Sequence, residues 1–186
     1  MESIKFDYVI VGGGAAGLHL AFAMSKDLFF RSKKIGIIEK SGKNSNDRTW
    51  CFWEKGEGSW EDIVSYSWNN CEFITNEKVT SLNLEAYHYK MIKAIDFYKK
   101  VITHLKETPN FVWIQDEVLH IQEGSPSKIV TTKNNYSAFH IFDSRITPNF
   151  YKNEKHINLI QHFKGWIIET KEDVFNPDSF VMMDFR

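Results

Sequence analysis

At 186 residues the chain can hold one large domain, or one domain and part of another. A hydrophobic share of 42% is enough for a true core, and a formal charge of −1 provides no basic face for nucleic acid. No apolar run approaches the ~20 residues of a membrane span, which leaves peripheral membrane contact as the form open to it.

The first element is a strand, Tyr8-Val9-Ile10-Val11, and it runs into Gly12-Gly13-Gly14-Ala15-Ala16-Gly17. The glycines have the spacing G-x-G-x-x-G, and an apolar segment, Leu18 to Met24, follows as a predicted helix. Strand, glycines and helix in that order form the context a dinucleotide fingerprint requires. Gly12 makes the tight turn, Gly14 lets backbone approach a pyrophosphate, and Gly17 lets helix and strand pack closely. The helix N-terminus offers unpaired N–H groups and a positive dipole end to the phosphates.

Lys34 to Glu39 supplies the second strand. Glu39 lies 22 residues after Gly17, near the ~20 expected for an acid that binds a ribose hydroxyl. An acid there, in place of an arginine, argues for FAD or NAD. The competing interpretation is a glycine-rich hairpin followed by an ordinary surface glutamate.

Ser41 to Asp47 is a polar loop delivering the cluster Arg48-Thr49-Trp50-Cys51-Phe52-Trp53-Glu54. Lys55 to Asp62 is a further loop, and Trp68 to Thr75 and Lys78 to Leu84 have the pattern of strands. From Tyr89 to Leu105 apolar residues recur at intervals of three and four, predicting an amphipathic helix that Pro109-Asn110 ends. Phe111 to Ile114 is a short strand. Glu117 to Gln122 and Lys128 to Thr132 form a hairpin across Gly124-Ser125-Pro126, and Tyr136 to Phe142 is a strand ending at Asp143-Ser144-Arg145.

A boundary is placed within Ile146 to Lys155. Beyond it Ile157 to Phe163, Gly165 to Thr170 and Ser179 to Phe185 are strand candidates without intervening helices, as in a second, sheet-based domain. Cys51 and Cys71 lack C-x-x-C spacing, and the seven histidines are scattered, so no metal site is expected. The first strand begins near Lys5, which leaves no room for a signal peptide and gives a cytoplasmic reading.

The run Asn46 to Glu54 resembles the segment after the second strand of bacterial lycopene cyclases, FAD-dependent proteins of carotenoid synthesis. Phe142-Asp143-Ser144-Arg145, Gln161-His162-Phe163-Lys164-Gly165-Trp166-Ile167-Ile168-Glu169-Thr170 and Met182-Met183-Asp184-Phe185-Arg186 match in the same order. The resemblance implies an α/β fold with a Rossmann-like, glutathione-reductase-type FAD-binding domain at 1–150 and the start of a sheet-based substrate domain at 151–186. It implies cyclisation of lycopene, or a related acyclic carotenoid, to the β-ionone rings of γ- or β-carotene, with no net redox change. Reduced FAD would be the cofactor and NAD(P)H its reductant, with peripheral membrane contact implied by the substrate.

The family's acid lies in a Phe-Leu-Glu-Glu-Thr-like segment downstream of Met-Asp-Phe-Arg, so the chain is expected to be an N-terminal half without its catalytic acid. Gly12, Gly13, Gly14, Ala15, Ala16, Gly17 and Glu39 are the expected cofactor contacts, together with Arg48 and Asp143. Arg48 could instead be a surface arginine paired with Asp47 or Glu54, and Asp143 a structural partner of Arg145. Trp50 and Trp53 could line a polyene channel or belong to a core. A related FAD-dependent monooxygenase or prenyl reductase, and a dinucleotide-binding fragment without catalysis, are the alternatives.

Overall fold

The computed structural model describes residues 3–146, 152, 157, 159 and 164–186. In chain order its elements are β1 (Ile4–Val11), α1 (Ala15–Lys26), β2 (Ile35–Glu39), β3 (Thr49–Lys55), β4 (Val64–Trp68), β5 (Asn70–Ile74) and β6 (Val79–Asn83). There follow β7 (Tyr87–Lys93), α2 (Ala94–Glu107), β8 (Phe111–Gln115), β9 (Val118–Gln122), β10 (Ser127–Thr131), β11 (Asn135–Asp143) and β12 (Ser179–Asp184). A 3-10 turn, Leu28–Phe30, joins α1 to β2. Contacts divide the chain into two interleaved units, residues 1–45 with 98–156 and residues 46–97 with 157–186.

The first unit is built on a six-stranded sheet in the order β8-β2-β1-β11-β10-β9. Strands β8, β2, β1 and β11 run parallel, and the β9–β10 hairpin extends the sheet antiparallel. Strands buried on both faces must be apolar throughout. Accordingly Val9, Ile10 and Val11 of β1 are buried, as are Ile35, Ile37 and Ile38 of β2. On one side Phe6, Val9, Val11 and Ile38 join Val118, Ile129, Tyr136 and Ala138 in a single cluster. Helix α1 buries Gly17, Leu18, Ala21 and Met24, residues spaced by one or three positions along one stripe. Among the described residues, no helix is long and apolar enough to cross a membrane.

The second unit contains two three-stranded sheets, β3-β7-β4 and β12-β5-β6. Strand β3 alternates between exposed and half-buried positions, as strands of a sheet with one wet face do. One deeply buried group here is charged. Lys90 on β7 is 2% exposed, and its ammonium donates to the Glu54 and Glu61 carboxylates and, at 2.6 Å, to the Gly56 carbonyl. Burial alone would push the Lys90 pKa down, but its hydrogen bonds to Glu61 and Glu54 raise it.

The sequence reading needs three corrections here. Residues Tyr89–Lys93 are strand, not the first turns of a helix, which begins at Ala94. Their two-residue alternation, with Lys90 and Ile92 inward, was overrun by the three-four spacing of Ala94, Phe97, Tyr98, Val101 and Leu105 behind it. The arginine-aromatic cluster forms β3, and the expected strand Trp68 to Thr75 is two strands, β4 and β5, parted at Asn69. Gly165 to Thr170 has no regular structure, whereas Ser179 to Phe185 does hold a strand. Most of the candidate strand Ile157 to Phe163 lies outside the described residues, as does most of the boundary segment.

Candidate functional site

In open α/β sheets ligands collect beyond the carboxyl ends of the strands, where strand order reverses. In the first unit that point lies at β1, with β2 on one side and β11 on the other. A crevice of about 350 Å³ opens there, lined by Val11, Gly12, Ile38, Glu39, Lys40, Asp116, Glu117, Val118, Arg145 and Ile146.

Each glycine of the turn meets a different constraint. Gly12 has φ +98°, and a Cβ there would sit 2.4 Å from Ser144 Oγ. Ser144 is fixed in that place because its N–H and its hydroxyl each donate to the Val11 carbonyl at 2.9 Å. A Cβ on Gly17 would stand 2.0 Å from the Gly12 carbonyl oxygen, so helix and turn touch backbone to backbone. At Gly13 it would fall 2.8 Å from the Trp113 ring. Gly14 differs from these. Its backbone is extended (φ −82°, ψ −170°), and a Cβ would meet nothing within 4 Å. Open space therefore faces the start of α1, where Gly14 is the N-cap without a side-chain cap and Ala15 and Ala16 begin the helix. The first N–H groups of a helix lack intrahelical acceptors and carry its positive dipole end. That combination suits the pyrophosphate of a dinucleotide.

Glu39 ends β2 and is 8% exposed. Its Oε2 accepts the Gly13 N–H at 2.6 Å, and its Oε1 accepts both the N–H and the hydroxyl of Ser41 at 2.8 Å. Lys43 Nζ lies 3.7 Å from Oε2 and 5.0 Å above the Tyr98 ring. Burial would raise the Glu39 pKa, but the Ser41 and Gly13 hydrogen bonds outweigh it and hold the carboxyl below its ordinary value. A carboxylate has about four acceptor positions. Three are occupied by neutral donors, and Lys43 lies on the side of the remaining one, on Oε2.

Asp143 ends β11 beside Val11. Both its oxygens are engaged by Arg145, at 2.9 Å from Nε and 2.8 Å from Nη2, while Nη1 donates to the Val118 carbonyl at 2.7 Å. Burial would raise the Asp143 pKa, and the Arg145 hydrogen bonds more than offset that. The geometry is that of the Asp–Arg pair weighed above, and Arg145 is the member that lines the crevice. Asp116, also on that wall, accepts hydrogen bonds from the Thr131 and Thr132 hydroxyls and from the Glu117 N–H. Those donors pull its pKa down against burial.

Arg48 belongs to the second unit, where its carbonyl accepts the Ala94 N–H at 3.0 Å. Trp50 packs edge-on against Phe97 at 5.4 Å, and Trp53 lies 4.7 Å from Tyr89. Lys43 was missed from sequence because a lone lysine in a Ser-Gly-Asn loop has no pattern to mark it. Its position four residues after Glu39 was the available signal. No group of His, Cys, Asp and Glu able to hold a metal occurs among the described residues.

Fold and turn together define the class, a Rossmann-type α/β protein of the kind seen in flavoproteins. The p-nitrophenol 4-monooxygenase PnpA of Pseudomonas putida DLL-E4 is similar, with TM-score 0.56 and 17% identity, covering 77% of this chain and 41% of that one. PqsL, a probable FAD-dependent monooxygenase of Pseudomonas aeruginosa, has TM-score 0.54 and 10% identity over 74% of this chain and 41% of its own. Versicolorin B synthase of Aspergillus parasiticus is 34% identical over 85 residues, which are 46% of this chain and 11% of that protein. The matched regions thus span about a tenth of that curated relative and about two fifths of these flavoproteins.

The chain matches the model of the lycopene cyclase protein family over residues 7–186, and it belongs to that family.

Proposed function

We propose that the protein carrying this chain is a flavin-dependent lycopene cyclase that closes the ends of an acyclic carotenoid into β-ionone rings without net redox change. The observation that carries this is the family match over residues 7–186, joined to a glycine turn whose free side faces a helix start. The residues fit FAD. Gly14, Ala15 and Ala16 would receive the pyrophosphate, Gly12, Gly13 and Gly17 would hold the turn tight enough for it, and Glu39 would take a ribose hydroxyl. Arg48 enters as a further pyrophosphate contact. Asp143 acts through Arg145, which it holds at the crevice wall.

When bound and reduced by NAD(P)H, the flavin would supply an electron-rich face that stabilises positive charge on the polyene. The acid that protonates the terminal alkene is not assigned to any residue of this chain. Within this proposal residues 1–150 serve the cofactor and residues 151–186 begin the substrate sheet. The substrate, dissolved in lipid, brings the protein to a membrane surface from the cytoplasmic side.

The test starts from the coding DNA. The full reading frame is expressed in a bacterial host that accumulates lycopene, and the pigments are separated by chromatography. Conversion to cyclic carotenoids, with a Glu-Glu-Thr-like segment in the frame, is the expected result. A folded, flavin-loaded protein that leaves lycopene unchanged overturns the proposal. One that consumes NAD(P)H in proportion to an oxygenated or reduced product would instead be a monooxygenase or prenyl reductase.

A further inference from the structure

The connection between α1 and β2 exposes apolar side chains among cations. Leu28 and Phe29 are 80% and 62% exposed, next to each other on the 3-10 turn. The turn is not a frayed end. The Asp27 carboxylate accepts the Phe29 N–H at 2.9 Å, and Asn110 donates to the Phe30 and Lys33 carbonyls at 2.9 and 2.8 Å. Phe30 points inward, edge-on to Tyr8 at 5.3 Å. Of three consecutive apolar residues, then, one anchors the turn and two are held out in water.

The charges around them are lopsided. Between Lys26 and Lys34 the chain has Lys26, Arg31, Lys33 and Lys34 against the single Asp27, in a protein whose formal charge is −1. Lys33 Nζ lies 5.8 Å from the Phe29 ring and Lys26 Nζ 4.0 Å from that of Phe22. Of the neighbouring acids, Asp7 accepts the Lys34 N–H at 2.7 Å, and Glu107 lies across the adjoining crevice, which Lys26, Leu28 and Arg31 also line.

We propose that this turn is a membrane-docking tip for bilayers with anionic headgroups. Leu28 and Phe29 enter the boundary between headgroups and acyl chains, and Arg31 and Lys33 face lipid phosphates, while Lys34 Nζ lies 4.9 Å over the Phe6 ring. An exposed apolar pair ringed by long cationic side chains is the composition that partitions into that boundary, and anionic lipid adds electrostatic attraction to it. A second copy of the chain fits less well, because two identical cationic tips repel. The tip also leaves the glycine crevice open. Helix α1 starts at Ala15 and strand β2 ends at Glu39, so both elements have the glycine turn at one end and the tip at the other.

The inference stands on the first unit's own surface, so flavin and carotenoid are not needed to test it. The chain is floated with phosphatidylcholine vesicles and with vesicles containing phosphatidylglycerol. Selective binding to the latter, weakened by salt, is expected. The double substitution Leu28→Ser, Phe29→Ser should lower partitioning by roughly tenfold or more. Arg31→Glu with Lys33→Glu should remove the preference for anionic lipid. Leu28, Phe29 and Arg31 are exposed and Lys33 is half-buried, and an unaltered melting curve verifies the fold of both variants. Absence of binding to anionic vesicles at low salt overturns the proposal. So does binding that the Leu28, Phe29 variant leaves intact, or a dimer in sedimentation that this variant dissolves. FAD retention measured in parallel reports separately on the cofactor reading.

Discussion

The two units stabilise their sheets in opposite ways. The first buries β1 and β2 on both faces with Val and Ile, and its site is formed by backbone that glycines leave bare. The second keeps half-open strands and ties β7 to β3 and the 56–61 loop through Lys90, a charge with three acceptors. Apolar burial tolerates volume-conserving changes but not overpacking, whereas a buried ion hub depends on its geometry and does not tolerate the loss of a partner.

The sharpest way to break the contrast is Gly17→Ala. Its methyl would enter the Gly12 carbonyl, a backbone atom that cannot move aside, and a cost of about 3 kcal/mol is expected. Denaturant unfolding should show the first unit lost or strongly destabilised. Lys90→Met comes next. It strands Glu54 and Glu61 without their cation, and melting should drop by roughly 5 °C. A variant that also carries Glu54→Gln and Glu61→Gln should recover part of that loss.

The third effect is a pH limb. Glu39 has a folded-state pKa below its ordinary value of 4.5. Its contribution is therefore complete above that value and is lost as pH falls through the lowered one. Melting followed from pH 6 to pH 2 should show the loss, and Glu39→Gln, less stable at neutral pH, should show less of it. Smallest for the fold is Gly14→Ala, whose methyl enters open space. Melting should stay within roughly 2–3 °C, the scale of an altered N-cap, while FAD affinity by equilibrium dialysis falls at least about tenfold as the phosphate approach is filled. Equal losses in Gly14→Ala and Gly17→Ala would show that the turn acts only as packing.

The same contrast explains what could be read from sequence. In the first unit burial on both faces turns β1 and β2 into unbroken apolar runs, and the close approaches at Gly12 and Gly17 require glycine, so pattern and structure coincide. The acid at Glu39 was legible by spacing. Its three hydrogen bonds and the nearby Lys43 were not, because they depend on how the loop from Ser41 folds back. In the second unit alternation is short and interrupted. Trp50 and Trp53 drew attention as aromatics when they are also residues of a strand, and Lys90 looked like the solvent face of a helix. Asp143 and Arg145 were visible as a pair, but only their geometry shows both carboxylate oxygens committed to the guanidinium.

The pairing of β1 with β11 has a consequence for synthesis. Ile4 finds its partner at Tyr136, and Val11 at Asp143. At a ribosomal pace of ~10 residues per second, the second strand of this central pair emerges on the order of 10 s after the first. Until then β1 exposes an apolar edge that only β2 and α1 can shield, in a nascent chain already delivering the strands of the other unit. Such an edge is a natural target for a ribosome-bound chaperone. Release of the first unit to its native state is accordingly timed by the appearance of residues 136–143, not by the glycine turn that begins it.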